Sequence, residues 1–486
     1  MVTTESETSM KLKPHVAVLP SPGMGHIIPL LELAKRLVVH HGIHVSFLNI
    51  TTEASSAQNK LLHSHPLPPN LHVIDLPHAD LSALVSEETG VVTRLCINVQ
   101  ESLKPLKWIL IELGNPQALI IDLFCTQAFE ICNELSIPIY TFFTASTAFL
   151  ALSLYFPTLD REVECEFVDL PGPVQVPGCT PVRTKDLMDD AMNRKTDEYK
   201  WSLFHLNRLR LATGILLNSW EDFEPGSLKA IREHPYYKQI PTPSVHPVGP
   251  LIKEDEPLTE SGAECVTWLD KQPSDSVLFI ALGSGGTFTT EQLTELTWGL
   301  ELSQKRFVLV TRKPSDCSAS GSFFNVGDDV NVNDPKTYLP EGFLERTKGV
   351  GLVLSSWAPQ VAVLSHSSTG AFLSHCGWNS TLESVTHGVP MIAWPLYAEQ
   401  RMNATMLTEE VGVAVKPAGV GEGKGVVERE EIERVVRMVM DGEEGKAMRR
   451  RARELKRSAV QGLNFGGSSY ESLFRVVEEW KAADKI

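Results

Sequence analysis

Short apolar runs, each closed by Gly, Ser or Asp and followed by a helical pattern, recur through this chain and leave few folds open to it. Residues 15–20 form such a run; a Ser-Pro-Gly-Met-Gly turn follows, and then apolar positions at helical spacing over residues 28–40. Residues 44–50 and 117–122 read as further strands. The second half repeats the grammar at 277–282, 307–311, 351–354, 370–374 and 389–394, with helical stretches at 290–303, 379–386 and 399–411. Strands that alternate with amphipathic helices are predicted to run parallel, because a helical crossover returns the chain to start its next strand in the same direction.

A chain of 486 residues exceeds one ordinary core, so two domains of roughly 200–250 residues are expected. Pro241, Pro243, Pro247 and Pro250 disfavour regular structure and mark the join. The expected fold class is α/β, two doubly wound Rossmann-like domains facing each other across a cleft. The division places a first domain at residues 1–245, a second at 246–467, and a last amphipathic helix, 468–486, packing back across the junction. Residues 314–334, rich in Ser, Gly, Asn and Asp, read as a long surface loop.

Composition closes off several functions. A formal net charge of −16 repels nucleic acid and anionic membrane. The basic run Arg449, Arg450, Arg451 and Arg453 lies beside Glu443, Glu444 and Glu454 and reads as a solvated helix face. Eight scattered cysteines include no CxxC pair and no zinc-ligand spacing, so reduced thiols, no metal and a cytoplasmic location are expected. Residues 1–14 lack the apolar stretch of a signal peptide. Residues 139–156 are uncharged over 18 positions, close to a membrane-spanning length. Their Thr and Ser content and the preceding strand-like start mark a buried element and pocket wall, with no transmembrane segment expected.

Parallel sheets bind ligands beyond the carboxyl ends of their strands. His26 follows the first run by a tight Gly-containing turn and starts the next helix, where the helix dipole is expected to keep the imidazole neutral and able to accept a proton. Asp122 ends another strand at the same edge, placed to hold the other ring nitrogen and stabilise the cation. The same two residues also suit a solvated cap and a turn.

Residues 357–400 read WAPQVAVLSHSSTGAFLSHCGWNSTLESVTHGVPMIAWPLYAEQ. Trp357 offers an aromatic face to a base. His375 to Ser380 form a strand-to-helix junction whose free N–H groups suit a phosphate, with side-chain donors from His375, Asn379 and Ser380. Glu383 lies one turn on, and Glu399 and Gln400 pair polar atoms suited to vicinal hydroxyls. Ser380 and Glu383 equally satisfy a Ser-x-x-Glu capping box, which needs no ligand.

The segment resembles the signature of the plant UDP-dependent glycosyltransferases that act on small secondary metabolites. It matches in length and at Trp357, Gln360, His366, Gly370, Phe372, His375–Ser380, Glu383, Gly388-Val389-Pro390, Pro395, Glu399 and Gln400. The turn before His26, Asp122 and Gly283-Ser284 fit the same order, and Tyr338–Phe343 resembles the hydroquinone glucosyltransferase type. The resemblance implies a GT-B architecture. It also implies Trp357 stacked on uracil with Ala358 at its edge, Gln360 and Glu383 on the ribose, and Ser284, His375, Asn379 and Ser380 on the diphosphate. Trp378, Glu399 and Gln400 would then position the sugar, with His26 as base and Asp122 as its partner. The closing Gln400 is similar to that of members using UDP-glucose. Ile280-Ala281-Leu282 and the missing tryptophan near residues 307–310 depart from the pattern at packing positions.

The implied reaction is inverting transfer of glucose from UDP-glucose, without further cofactor, to a small aromatic hydroxyl: a simple phenol, a phenylpropanoid or indoxyl. Leu123, Phe124, Phe142 and Phe149 are the expected acceptor wall, and a monomer is expected. A flavonoid acceptor and a non-catalytic sugar-nucleotide binder are the alternatives. A nicotinamide oxidoreductase is disfavoured because Gly283-Ser284-Gly285-Gly286 lacks the GxGxxG spacing.

Overall fold

The computed structural model describes residues 14–64, 66–253, 258–316, 334–355, 357–421 and 425–483. Most of the expected 314–334 loop, and Cys317 with it, lies outside the described residues, as does residues 1–13 of the amino-terminal stretch.

Among the described residues thirteen strands form two sheets. The first holds β1 (His15–Leu19), β2 (His44–Ile50), β3 (Leu71–Leu76), β4 (Ala118–Asp122), β5 (Ile139–Phe143), β6 (Gly214–Leu217) and β7 (Ser244–Pro247), in the order β3-β2-β1-β4-β5-β6-β7. The second holds β8 (Val277–Ala281), β9 (Arg306–Thr311), β10 (Gly351–Ser355), β11 (Thr369–Ser374), β12 (Met391–Ala393) and β13 (Ala414–Val415), in the order β10-β9-β8-β11-β12-β13. Neighbouring strands pair in parallel throughout both sheets.

Each sheet reverses its strand order once, between β1 and β4 and between β8 and β11. There the outgoing loops part and leave a crevice. The registers Leu19↔Ile121 and Ala281↔Ser374 bring the turn after β1 beside Asp122, and the Gly283 turn beside His375.

Both faces of each sheet are covered, which explains the continuous apolar runs. Along β1, Val16 and Val18 enter one core while Ala17 and Leu19 enter the core on the opposite face. Residues 139–156 become β5 and the buried start of the helix Thr147–Glu162. Among the described residues no helix is long and apolar enough to cross a membrane.

Two expectations need correction. The proline-rich join does contain a strand: β7 pairs only with β6, and at an edge Pro247 forfeits no ladder bond on its outer side. The division after residue 245 therefore falls inside β7, which stays with the first sheet. Arg449, read as part of a solvated face, is buried and donates to the Gly370 carbonyl at 3.0 Å.

The last helix, Ser468–Ala483, returns to the first domain, where Leu473, Val476, Val477 and Trp480 complete the core beside β1, β2 and β4. Trp480 meets Tyr140 edge to face at 5.4 Å. Trp480→Ala is expected to cost about 3–5 kcal/mol and to lower the melting transition of the first domain in calorimetry. An unchanged transition would show that the helix does not clamp that domain.

Candidate active site

The two switch points face one another across a cleft of about 590 Å³. Its walls include His26, Leu123, Phe124, Phe149, Ser284, Trp357, Ala358, Gln360, His375, Trp378, Asn379, Ser380, Glu383, Glu399 and Gln400. Asp122 lies directly beneath, with none of its side chain exposed. Of the expected side chains only Phe142 is elsewhere. It points into the first domain's core, and Phe143 lines the cleft instead, because successive strand residues face opposite sides.

His26 sits in the first turn of the helix Met24–His41, behind Gly23, which adopts φ 112°. Its Nδ1 is 2.8 Å from Asp122 Oδ2. Asp122 also accepts from Ser21 Oγ at 2.7 Å and from the Phe124 N–H at 3.0 Å. Burial alone would raise the Asp122 pKa, but His26 and these donors outweigh it and hold the carboxyl below its usual value. Burial likewise lowers the His26 pKa, and the charge and hydrogen bond of Asp122 more than reverse it, leaving His26 above an ordinary histidine. The Asp122 carboxylate thus raises the imidazole's proton affinity, the opposite direction to that expected from the helix end. With Nδ1–H held by Asp122, Nε2 is the atom left to take a proton from a substrate.

Across the cleft, the helix Trp378–His387 begins at Gly377 with no side chain capping it. The capping-box reading fails because Ser380 lies inside the helix rather than at its cap. Its Oγ instead accepts from Gln360 Nε2 at 2.9 Å, and the same amide is 2.5 Å from Glu383 Oε2. The first-turn N–H groups are thus open to an anion.

His375 is wedged between two glycines. A Cβ on Gly283, at φ +72°, would lie 2.6 Å from the imidazole, and one on Gly377 would lie 2.4 Å from its Nε2. Burial, then the nearby Arg312 charge, lowers the His375 pKa to about 4, so it stays neutral, and its Nδ1 is buried without a partner. Burial raises Glu383 to about 7 against the opposing effects of Gln360 and Lys253. Trp357 leaves half its surface open, with the Lys253 ammonium 5.9 Å from its ring centre.

Several side chains serve geometry more than ligand contact. The Trp378 indole N–H donates to the Asn218 carbonyl at 2.8 Å, so it is not available to a sugar. Gln400 Oε1 accepts from the Leu396 and Tyr397 N–H groups at 2.9 and 3.0 Å, which fixes the side chain at the cleft wall. Asn379 Nδ2 donates across the cleft to the Gly25 carbonyl at 3.0 Å, tying the helix start to the turn that carries His26.

Sequence reasoning passed over Arg312, Ser21 and the polar group Asp190, Ser202 and His205. Arg312 donates to the Gly283 and Gly286 carbonyls at 2.7 and 3.3 Å and braces the glycine turn. It follows the strand β9 at the carboxyl edge, the signal by which Asp122 was found. Asp190, Ser202 and His205 carry no local motif.

A histidine–aspartate pair on one domain thus faces an uncapped helix end and an open aromatic face on the other, an arrangement suited to holding an anionic nucleotide against a second substrate. Residues 337–450 match the family model described as UDP-glucoronosyl and UDP-glucosyl transferase. The chain is 44% identical to the hydroquinone glucosyltransferase of Rauvolfia serpentina, over 97% of its own length and 99% of that protein. The solved structure of TcCGT1 in complex with UDP superposes with a TM-score of 0.90 at 48% identity, covering 97% of this chain and 100% of that one. A Polygonum tinctorium UDP-glucosyltransferase capable of glucosylating indoxyl, solved with 3,4-dichloroaniline, gives a TM-score of 0.86 at 44% identity, covering 97% and 99%. The chain belongs to the UDP-glycosyltransferase family and has its GT-B architecture.

Asp122→Asn removes the charge that opposes burial at His26. Its imidazole pKa, read by NMR titration, is expected to fall below the wild-type value; an unchanged titration would mean that Asp122 does not govern it.

Proposed function

We propose that this enzyme transfers glucose from UDP-glucose to the hydroxyl of a small aromatic acceptor, with inversion to a β-glucoside. The observation that carries the reading is the 2.8 Å His26–Asp122 pair standing in one cleft with the uncapped helix of the other domain. His26 Nε2 takes the acceptor's hydroxyl proton while the oxygen attacks the anomeric carbon. The bond from that carbon to the phosphate oxygen breaks on the opposite face, and its electron pair leaves with UDP. Asp122 stabilises the imidazolium so formed.

On the donor side, the Trp357 ring stacks on uracil, Ala358 meets the base edge, and Gln360 and Glu383 hold the ribose. The first-turn N–H groups with Ser284, His375, Asn379 and Ser380 bind the diphosphate, and Glu399 and Gln400 hold the sugar. Charge growing on UDP meets dipoles already in place, so little reorganisation is needed during reaction. No group of residues fit to hold a metal ion occurs among the described residues, and the N–H groups and neutral donors of the cleft suit a diphosphate directly. Around His26 the walls formed by Leu123, Phe124, Phe143 and Phe149 are apolar, as a flat aromatic alcohol requires. The names of the Rauvolfia and Polygonum relatives, hydroquinone and indoxyl, point the same way. We place the enzyme in the cytoplasm as a monomer.

His26→Ala is expected to lower kcat with a simple phenol by about 10²–10⁴-fold while binding UDP-glucose as the wild type does. NMR of the wild-type product is expected to show a β-anomer. Retained turnover in the variant, or an α-product, would remove the mechanism. Glu383 titrates near 7 and accepts hydrogen bonds best when ionised. UDP-glucose affinity is therefore expected to weaken as pH falls through about 7, and Glu383→Gln to flatten that dependence in calorimetry. A wild-type affinity independent of pH would take Glu383 off the ribose.

A further inference from the structure

The half of the cleft around His26 is apolar except at one end. The helix Asp197–Arg208 faces the cleft with Glu198, Ser202 and His205, and Asp190 stands against it, accepting from Ser202 Oγ at 2.6 Å. Phe124 spans the distance between this end and the base, edge to face with His26 at 5.5 Å and with His205 at 5.6 Å.

Asp190 and its neighbour Asp189 are in different circumstances. Asp189 accepts from the Ala398 N–H at 2.8 Å and pairs with Arg401 at 2.5 Å, and so it holds the domains together. No cation pairs with Asp190 among the described residues. His205 cannot serve: its ring nitrogens are engaged by Thr126 Oγ1 at 2.7 Å and Cys96 Sγ at 3.3 Å, and burial drops its pKa to about 3. His26 is committed to Asp122. Burial, with Asp189, Glu198 and Glu399 nearby, raises the Asp190 pKa to about 6 despite the Ser202 hydrogen bond, so the group is still anionic at neutral pH and above. A carboxylate accepts about four hydrogen bonds, and Ser202 supplies one.

We propose that Asp190 determines acceptor specificity: it accepts a hydrogen bond from a second hydroxyl or amino group on an aromatic acceptor whose other hydroxyl faces His26, and it repels an acceptor bearing a carboxylate there. This rests on the acceptor reading above. A donor group gains a charge-assisted bond to a partner already desolvated, whereas a carboxylate meets like charge in a cavity too apolar to screen it.

The test compares matched acceptors with UDP-glucose at about pH 8: 4-hydroxycinnamyl alcohol against 4-hydroxycinnamate, and 4-hydroxybenzyl alcohol against 4-hydroxybenzoate. Phenolic glucosides are identified by mass and NMR. In the wild type, kcat/KM is expected to favour the alcohol of at least one pair by about tenfold or more. Asp190→Asn and Asp190→Leu are expected to shrink that ratio about tenfold, mainly through KM, with UDP binding reporting that each variant is folded. Equal use of alcohol and acid by the wild type would overturn the proposal without any variant. A ratio unmoved in folded variants would do the same. Absence of phenolic glucosides from every acceptor, with UDP-glucose bound, would instead sink the acceptor reading and this proposal with it.

Discussion

Everything in the cleft depends on how far apart the carboxyl edges of two parallel sheets are held, and hydrogen bonds between domains, from the buried Trp378–Asn218 bond to the exposed Asn379–Gly25 bond, set that separation. Trp378 reaches the Asn218 carbonyl, Asn379 reaches Gly25, and Asp189 receives both the Ala398 N–H and Arg401. Each joins the helix Trp378–His387 or the segment after β12 to the first domain: to Asn218 after β6, to Gly25 in the turn after β1, and to Asp189 in a short helical turn. The buried Trp378–Asn218 bond is costly to leave unmade, by about 1–3 kcal/mol, so it fixes a distance as well as adding stability. The last helix adds an apolar clamp to the polar ones, through Trp480 against Tyr140.

Inside that frame, four acids show how partners decide what burial does to a charge. Asp122 is fully buried yet held low, because a histidine, a hydroxyl and an N–H all face it. Glu383, with one amide hydrogen bond, rises to about 7, and Asp190, with one hydroxyl, to about 6. Glu224 accepts from Thr147, Ala148 and Ser219 and anchors the start of the pocket-wall helix, although burial still leaves its pKa raised. The same desolvation thus yields a locked proton partner at Asp122 and carboxyls at Glu383 and Asp190 that titrate near neutrality.

Legibility followed the range of the interaction. Strands β1, β2 and β4 and most of the second sheet were readable because their apolar runs are buried on both faces. β3, with its mixed burial, and the short edge strand β7 were not. Trp357 to Gln400 could be read because one continuous segment carries most of one cleft wall. Phe142 was assigned to the pocket in place of Phe143, since a run of aromatics does not say which face of the strand each one takes. Asp190 went unread: a carboxylate in a short turn is ordinary in sequence, and only its position opposite Ser202, in a cleft shared with His26, sets it apart.

The sequence by itself determined the α/β class, the two-sheet plan and the family signature at residues 357–400, because periodicity, turn residues and a 44-residue motif are properties of neighbours along the chain. The tertiary structure decided that His26 and Asp122 meet, that Asp122 raises the proton affinity of that histidine, and that Ser380 binds Gln360 instead of capping its helix. It also decided that Asp190 lines the cleft with no cation paired to it among the described residues. These are contacts between residues as many as 96 positions apart, and they exist only once strand order and domain closure have brought the partners together.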